Sequence, residues 1–177
     1  VTTTTVSSIP SLSVNDVTVT ETDKKALKAT FTVSLSQPAA STVKVKYATA
    51  NGSATAPGDY QKKSGTLTFP AGTTSKTVAV TIKGDTAAES NETFTVGLNT
   101  PSGATIGDGS GLGTITDNDP VTIDIGDAQI VEGNAKTQTL AFVVTISRAS
   151  DAPVKAKVTT TDGSATQAGN DYKNKFG

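Results

Sequence analysis

Polar and apolar residues alternate along most of the chain. Residues 26–36, "ALKATFTVSLS", switch between the two classes at almost every position. Successive side chains of a β-strand point to opposite faces, so this pattern predicts a strand with one buried and one exposed face. The same period recurs elsewhere, and no segment shows a helical period. The predicted strands are residues 12–20, 26–36, 43–49, 65–69, 76–82, 93–98 and 112–116.

Segments rich in Gly, Pro, Ser and Asn separate these strands, for example "QPAAS" and "PAGTTS". About seven short strands joined by such turns are typical of an antiparallel, immunoglobulin-like β-sandwich, so we expect an all-β fold. Asn51-Gly52 would ordinarily predict a tight hairpin. Because apolar alternation does not resume until Leu67, we interpret this pair as the start of a long connection.

The chain contains an internal repeat. "FTVSLS" at 31–36 returns as "FVVTIS" at 142–147, and "NGSAT" at 51–55 returns as "DGSAT" at 162–166, both with an offset of 111 residues. Repeats of this kind are typical of tandem arrays. We therefore predict a Thr/Ser-rich linker at 1–10, a complete sandwich at 11–119, and the first half of a second, truncated repeat at 120–177.

Composition excludes several kinds of chemistry. The chain has no Cys, His, Met or Trp, and 15 basic residues balance 16 acidic ones. Thiolate and imidazole metal sites are excluded, as are most pairs of a nucleophile and a base. A near-neutral charge is not typical of nucleic-acid or membrane-surface binding. Oxygen ligands remain, and they suit calcium or magnesium.

Acidic residues cluster at strand ends, as in "GTITDNDP" at 113–120. They follow the first, third, fifth and seventh predicted strands, so an antiparallel sandwich would gather them at one pole. Carboxylates packed this closely repel unless a cation shares the site, and calcium accepts six to eight oxygens. We therefore predict a calcium site at this pole.

The segments "VTVTE", "YATANGSATAPGDYQKKSG" and "GTITDNDP", in this order and spacing, resemble the Calx-beta domain. That family comprises calcium-binding sandwiches of sodium–calcium exchangers and of many bacterial surface proteins. The resemblance covers 11–119 completely and 120–177 in part. It implies calcium ligands at Glu21, Asp59, Asp85, Glu89, Asp117 and Asp119, with the Ala87 carbonyl and Asn118 completing the shell, and at Glu132 and Asp171 in the second repeat.

The sequence departs from the fullest pattern of the family. Gly84 and Thr86 stand where exchanger domains carry further aspartates, and Asn118 replaces the middle aspartate of the closing run. Fewer charges imply one or two ions and weaker binding, which suits an extracellular module in about millimolar calcium.

Other acidic and aromatic residues have structural interpretations. Glu92 is expected to begin a strand rather than to bind metal, and Asp16 and Asp127 to face solvent. Tyr60 and Tyr172 are expected to be core or corner residues with hydrogen-bonded hydroxyl groups.

Three classes of function compete for this sequence. The first is a calcium-rigidified spacer in a tandem-repeat protein that is secreted or at the surface of a bacterial cell, with neighbouring repeats as partners. The second is an adhesive or carbohydrate-recognition module, or a fibre subunit completed by strands from a neighbouring copy. An enzyme is least favoured, because no nucleophile has an evident base and a Ser–Lys pair is unsupported. Lack of an initiator Met suggests a piece of a longer chain, and the strands missing from the second repeat are expected from a neighbouring copy or a continuation of the chain.

Overall fold

The structure is a computed structural model that describes residues 9–134, 137–149 and 153–173. Residue contacts divide the chain into two compact units, Val1–Pro120 and Val121–Gly177. Residues 1–8 of the predicted linker lie outside the described residues. No helix occurs in the described ranges, and hence none there is long and apolar enough to cross a membrane.

The described part of the first unit is a sandwich of two sheets. One sheet has the strand order β6-β3-β1-β8, and the other has the order β2-β9-β7-β4-β5. Neighbouring strands are antiparallel except β1 with β8 and β2 with β9. The strands are β1 (Ser11–Val14), β2 (Val17–Thr20), β3 (Leu27–Leu35), β4 (Val43–Asn51), β5 (Ser64–Phe69), β6 (Ser75–Ile82), β7 (Glu92–Ser102), β8 (Thr105–Asp108) and β9 (Ser110–Thr116).

The predicted first strand, residues 12–20, is two strands, β1 and β2, that belong to different sheets. At the break, Asn15 Oδ1 accepts a hydrogen bond from the Thr32 amide at 2.6 Å. Asp16 is exposed as expected, but its Oδ1 also accepts a hydrogen bond from the Leu112 amide at 2.7 Å. Strand β8 was not among the predicted strands, because its residues lie in "SGATIGDGSG" at 102–111, a segment with the composition of a turn.

The inward-facing residues of both sheets form one apolar core in the first unit. At its centre the rings of Tyr60 and Phe94 stack with centroids 4.6 Å apart, and Phe31 meets Phe94 edge-on at 5.8 Å. Tyr60 is fully buried and its hydroxyl donates to Asn51 Oδ1 at 2.6 Å, which confirms the interpretation of this residue. The core thus extends to the loop that carries Asp59.

In the second unit, the described residues form one antiparallel pair, β10 (Ile123–Ile125) with β11 (Val144–Ile146). Ile123 pairs with Ile146, and Ile125 pairs with Val144. Thus β10 and β11 are paired as β1 and β3 are in the first unit, where Leu12 pairs with Leu35 and Val14 with Val33.

Candidate metal centre

The acidic residues that the sequence predicts as calcium ligands in the first unit lie near the ends of strands β2, β4, β6 and β9. The Glu21 amide donates to the Thr116 carbonyl at 3.0 Å, which extends the β2–β9 ladder by one residue and sets Glu21 beside the start of "DND". The Lys83 amide donates to the Asp59 carbonyl at 2.8 Å, so the loop after β4 lies against the end of β6. Backbone hydrogen bonds therefore pair the loop after β2 with the end of β9, and the loop after β4 with the end of β6.

Two groups of carboxylates result. Oxygens of Glu21, Asp117 and Asp119 lie within 4.8 Å of one another, and so do oxygens of Asp59, Glu89 and Glu92. The Glu89 amide donates to Asp117 Oδ2 at 3.0 Å, which joins the two groups. Six carboxylates in two adjacent groups match the oxygen-rich ligand sets that calcium prefers.

Asp119 provides the test of whether a cation fits. Its side chain is 9 % exposed, and its Oδ2 atom is buried with no hydrogen-bond partner. Buried polar atoms nearly always have a partner, so a buried oxygen without one is a place where a water molecule or an ion binds. Glu21 is buried as well, at 8 % exposure. A hard cation held by Glu21, Asp117 and Asp119 would give the buried Asp119 Oδ2 atom a partner and would balance the charge of the buried Glu21 carboxylate. The residues present therefore fit calcium.

The other predicted ligands lie in or beside this cluster. Asp85 follows β6, and its Oδ1 accepts a hydrogen bond from the Ala87 amide at 2.7 Å, within the acidic loop. Asn118 uses its side-chain nitrogen to donate to Asp23 Oδ1 at 3.0 Å. The ligand roles of all the predicted residues, Asp85, Ala87 and Asn118 included, stay predictions.

Sequence analysis gave no ligand role to two acidic residues at this pole, Asp23 and Glu92. Glu92 does begin β7, as expected, but its carboxylate also lies with those of Asp59 and Glu89. Asp23 Oδ1 accepts a hydrogen bond from the Asn118 side chain, and the charge of Asp23 adds to burial in raising the pKa of Asp119. A signal for Glu92 was present in the sequence. Glu92 is the first residue of β7, so it lies at the same pole as the preceding loop, which carries Asp85 and Glu89.

Gly84 has no room for a side chain. A Cβ atom at this position would overlap the backbone carbonyl of Thr22, next to Glu21. The glycine therefore lets the loop after β6 approach the loop after β2. An aspartate at this position would add a negative charge, but its Cβ atom would also overlap the Thr22 backbone. The close backbone contact therefore requires glycine here.

We expect Gly84→Ala to lower calcium affinity about tenfold, because the added methyl group separates the two loops that carry Glu21 and Asp85. Isothermal titration calorimetry measures the effect. The matched control is Gly58→Ala, since a Cβ there meets the Thr55 carbonyl at an ordinary 3.4 Å. Equal affinities for the two variants would contradict the close-approach interpretation.

The pKa values of the cluster reflect burial and crowding of like charges. Burial, followed by the charges of Asp85 and Asp117, raises the pKa of Glu21 to about 7. Burial, followed by a hydrogen bond with Asp59, raises the pKa of Glu92 to about 7. Burial is also the largest cause of the raised pKa values of Glu89 and Asp119. Without an ion, the last carboxyl groups of the cluster therefore lose their protons only at raised pH. A bound cation would lower the free energy of the ionised carboxylates by balancing their charges.

These raised pKa values predict an unusual pH dependence without calcium. A carboxyl with a pKa of about 7 when folded and 4.5 when unfolded binds its proton more tightly in the folded state. Its contribution to stability is present below pH 4.5 and is lost as the pH rises to 7, a change of about 3 kcal/mol for Glu21.

We therefore expect the chelator-treated protein to melt at a lower temperature at pH 7.5 than at pH 5, and saturating calcium to reduce the difference. Differential scanning calorimetry over this range is the measurement, and Glu21→Gln should flatten the profile. A calcium-free melting temperature that rises with pH would contradict the assignment.

The ligand roles of Glu132 and Asp171, which were predicted for the second unit, stay predictions. Glu132 and Asp171 are both exposed, and neither belongs to a group of three acidic residues in the described part of the chain. The loop before Asp171 nevertheless repeats the first unit. Asp171 Oδ2 accepts from the Thr166 amide at 2.8 Å, as Asp59 Oδ2 accepts from the Thr55 amide at 2.6 Å. Tyr172, which is half-buried, donates to Asp162 Oδ1 at 2.6 Å.

Comparison with known proteins agrees with this architecture. The sequence model of the Calx-beta domain matches residues 6–111 and 116–177, which is nearly the whole chain. No curated protein sequence matches the chain.

Among solved structures, the chain is similar to apo-form Calx CBD1, with 22 % identity and a TM-score of 0.55, covering 63 % of this chain and 100 % of that one. CBD12 from CALX1.2 gives 24 % identity and a TM-score of 0.56, covering 61 % of this chain and 45 % of that one. The calcium binding domain CBD12 of CALX1.1 gives 22 % identity and a TM-score of 0.57, and the match covers 64 % of this chain and 49 % of that one. This chain thus spans less than half the length of the two CBD12 structures. At these identities the likeness establishes the β-sandwich fold.

Proposed function

This chain belongs to the Calx-beta domain family, and on that basis we propose that its first unit is a calcium-binding module without catalytic activity. The observation that carries the proposal is the buried, unpaired Oδ2 of Asp119 beside Glu21 and Asp117. The solved relatives support it, since one of them is described as a calcium binding domain.

The ligands that we assign are those of the two carboxylate groups, with Asp85, the Ala87 carbonyl and Asn118 completing the shell. Glu21, Asp117 and Asp119 form one group, and Asp59, Glu89 and Glu92 form the other. Two groups suit one or two ions, and the affinity expected of an extracellular module is a Kd of roughly 10⁻⁴ to 10⁻³ M.

Calorimetric titration of the full chain with calcium tests this function, with magnesium as the comparison. Magnesium demands near-ideal octahedral geometry and gives up its water reluctantly, so the crowded cluster should prefer calcium. Heat of binding for calcium that is absent or much weaker for magnesium would support the proposal. Absence of binding at millimolar calcium would overturn it.

We propose further that the module is a spacer in a tandem-repeat protein, outside the cell or at the surface of a bacterial cell. Support comes from the position of the ligands, since Asp117 and Asp119 come directly before Val121, where the second unit begins. An ion bound to these residues would restrict the backbone at the junction, because binding energy available only to the ordered state stabilises that state.

Amide hydrogen exchange of residues 117–123 tests the spacer role. We expect slower exchange in calcium than in chelator, with Asp119→Asn removing the difference. Exchange that calcium leaves unchanged, in a protein that binds calcium by calorimetry, would reject the spacer role and keep the binding function.

A carbohydrate-recognition role finds no support in the first unit. Phe31, Phe69, Phe94 and Tyr60 are buried there, and Tyr47 is partly buried against the core. Such recognition relies on aromatic rings that are accessible to the ligand.

A further inference from the structure

Asn51 holds the connection after β4 at two points. It is the last residue of β4 and the first residue of the repeated motif "NGSAT". Its Oδ1 atom accepts a hydrogen bond from the Tyr60 hydroxyl at 2.6 Å and another from the Ala56 amide at 3.2 Å. An amide oxygen has two lone pairs, so protein donors occupy both of them. Asn51 therefore fixes the connection and leaves no oxygen lone pair for an ion.

Asp59 lies between the two residues that Asn51 holds. Its Oδ2 atom accepts a hydrogen bond from the Thr55 amide at 2.6 Å, and its own amide donates to the Thr55 carbonyl at 3.0 Å. Tyr60, the next residue, is fully buried in the core. The carboxylate of Asp59 thus belongs to a closed loop, residues 55–60, and Asn51 ties that loop to the end of β4.

The second repeat builds the same loop with a different length. Asp162 corresponds to Asn51 with an offset of 111, whereas Tyr172 corresponds to Tyr60 with an offset of 112, so one residue is inserted between them. Both hydrogen bonds survive the insertion. The Tyr172 hydroxyl donates to Asp162 Oδ1 at 2.6 Å, and the Gln167 amide donates to the same atom at 3.0 Å. The acceptor oxygen is therefore the constant feature of the two loops.

The acceptor role does not require an amide group. The hydrogen bonds from Tyr172 and Gln167 lower the pKa of Asp162, because both donors favour the ionised carboxylate. Both contacts of Asn51 in the first repeat likewise use its oxygen. Aspartate should therefore replace Asn51 with the loop intact, whereas alanine should release the loop.

We propose that Asn51 is a positioning residue of the calcium site, which orients the ligand Asp59 through the loop 55–60 and does not contact the ion. This inference rests on the calcium-binding function proposed above for the first unit. Groups that orient a metal ligand without touching the metal contribute substantially to affinity, because a ligand that is free to turn loses entropy on binding.

Calorimetric titration of full-chain variants with calcium gives the first test. Asn51→Ala should weaken binding about tenfold, and Asn51→Asp should bind at least as tightly as the wild type. Asn15→Ala is the matched control. Asn15 is also exposed and also accepts a backbone hydrogen bond, from the Thr32 amide at 2.6 Å, but it lies at the opposite end of β2 from Glu21. It should leave the affinity unchanged.

A double-mutant cycle with Asp59→Asn shows whether Asn51 acts through Asp59. In the Asp59→Asn background, Asn51→Ala should change the affinity by less than about twofold, because the ligand that it orients is already altered. Tyr60→Phe removes one of the two hydrogen bonds to Asn51 and keeps the ring, so it should weaken binding in the same direction. It serves in the cycle if Asn51→Ala does not fold. Independent, additive effects of the two sites would overturn the proposal, as would Asn51→Asp binding as weakly as Asn51→Ala.

Amide exchange followed by NMR in chelator tests the loop without calcium. The amides of Thr55, Ala56 and Asp59 should exchange about tenfold faster in Asn51→Ala and at the wild-type rate in Asn15→Ala. Unchanged exchange in Asn51→Ala would overturn the positioning role, whether or not the wild type binds calcium. Faster exchange in a protein whose wild type binds no calcium would reject the calcium function alone and keep the role of Asn51 in fixing the loop.

Discussion

Replacing Phe94 with alanine is expected to lower the free energy of unfolding of the first unit by roughly 3–5 kcal/mol. The ring is 1 % exposed, stacks on Tyr60 at 4.6 Å and contacts Phe31 edge-on at 5.8 Å. Its removal leaves a cavity that rigid β-sheets on both sides cannot close. Urea unfolding followed by circular dichroism measures the change.

The same substitution should also weaken calcium binding. Phe94 lies two residues after Glu92 on β7, and its stacking partner Tyr60 follows Asp59 directly. The aromatic stack therefore fixes the positions of two carboxylates of one group. Leu112→Ala is the control, because Leu112 lies on the neighbouring β9 but is 42 % exposed, and we expect it to cost less than about 1 kcal/mol. Similar costs for both variants would contradict the central role of the stack.

The second large effect is expected from the double substitution Glu21→Gln and Asp119→Asn. It keeps the size of both side chains and removes two charges from the carboxylate group that includes Asp117. Loss of two direct ligands should lower calcium affinity by at least about 100-fold. Calorimetric titration measures the affinity.

The same double variant should be more stable than the wild type in chelator at pH 7.5, because like charges and a buried carboxylate are removed. Opposite signs in the two experiments separate this effect from simple misfolding. Asp108→Asn is the matched control, since Asp108 is exposed on β8 and belongs to neither carboxylate group. A double variant that binds calcium normally would remove Glu21 and Asp119 from the ligand set.

The alternating pattern was enough to predict most strands of the first unit. Strands β3, β4, β6 and β7 contain stretches in which every second residue enters the core. The predicted and observed ranges agree within two residues for β3, β4 and β6, whereas β7 continues four residues beyond its predicted end, to Ser102. The pattern could not show that residues 12–20 change sheets. That break depends on hydrogen bonds from Thr32 and Leu112, which are 17 and 96 residues away in the sequence.

Strand β8 was missed for a similar reason. Its sequence "TIGD" lies among glycines and has one apolar residue, so local propensity favours a turn. Tertiary contacts decide otherwise, since β8 runs parallel to β1 and the Thr105 amide donates to the Pro10 carbonyl at 2.9 Å. A partner 95 residues away was not visible in the local pattern.

The acidic pole could be predicted from strand order, because loops after alternate strands meet at one end of a sandwich. The grouping of Glu92 with Asp59 and Glu89 could not be predicted, since alternation in "ETFTV" accounts for Glu92 equally well as a strand residue. The loop that carries Asp59 lies beside the first residue of β7, and the hydrogen bond from the Lys83 amide to the Asp59 carbonyl holds it there. This contact, which the local sequence pattern does not show, brings Asp59 to Glu92. Gly84 likewise acquires its meaning from Thr22, 62 residues earlier.

Thermal unfolding of the full chain in calcium and in chelator tests the central claim most directly. With calcium at about 100 times its Kd, the linkage of binding to folding stabilises the first unit by roughly 2.7 kcal/mol, which corresponds to a rise in Tm of about 10 °C. We predict that rise for the wild type, and its absence in the Glu21→Gln, Asp119→Asn variant. Superimposable melts of the wild type in calcium and in chelator would contradict the account and leave the acidic pole a solvated surface.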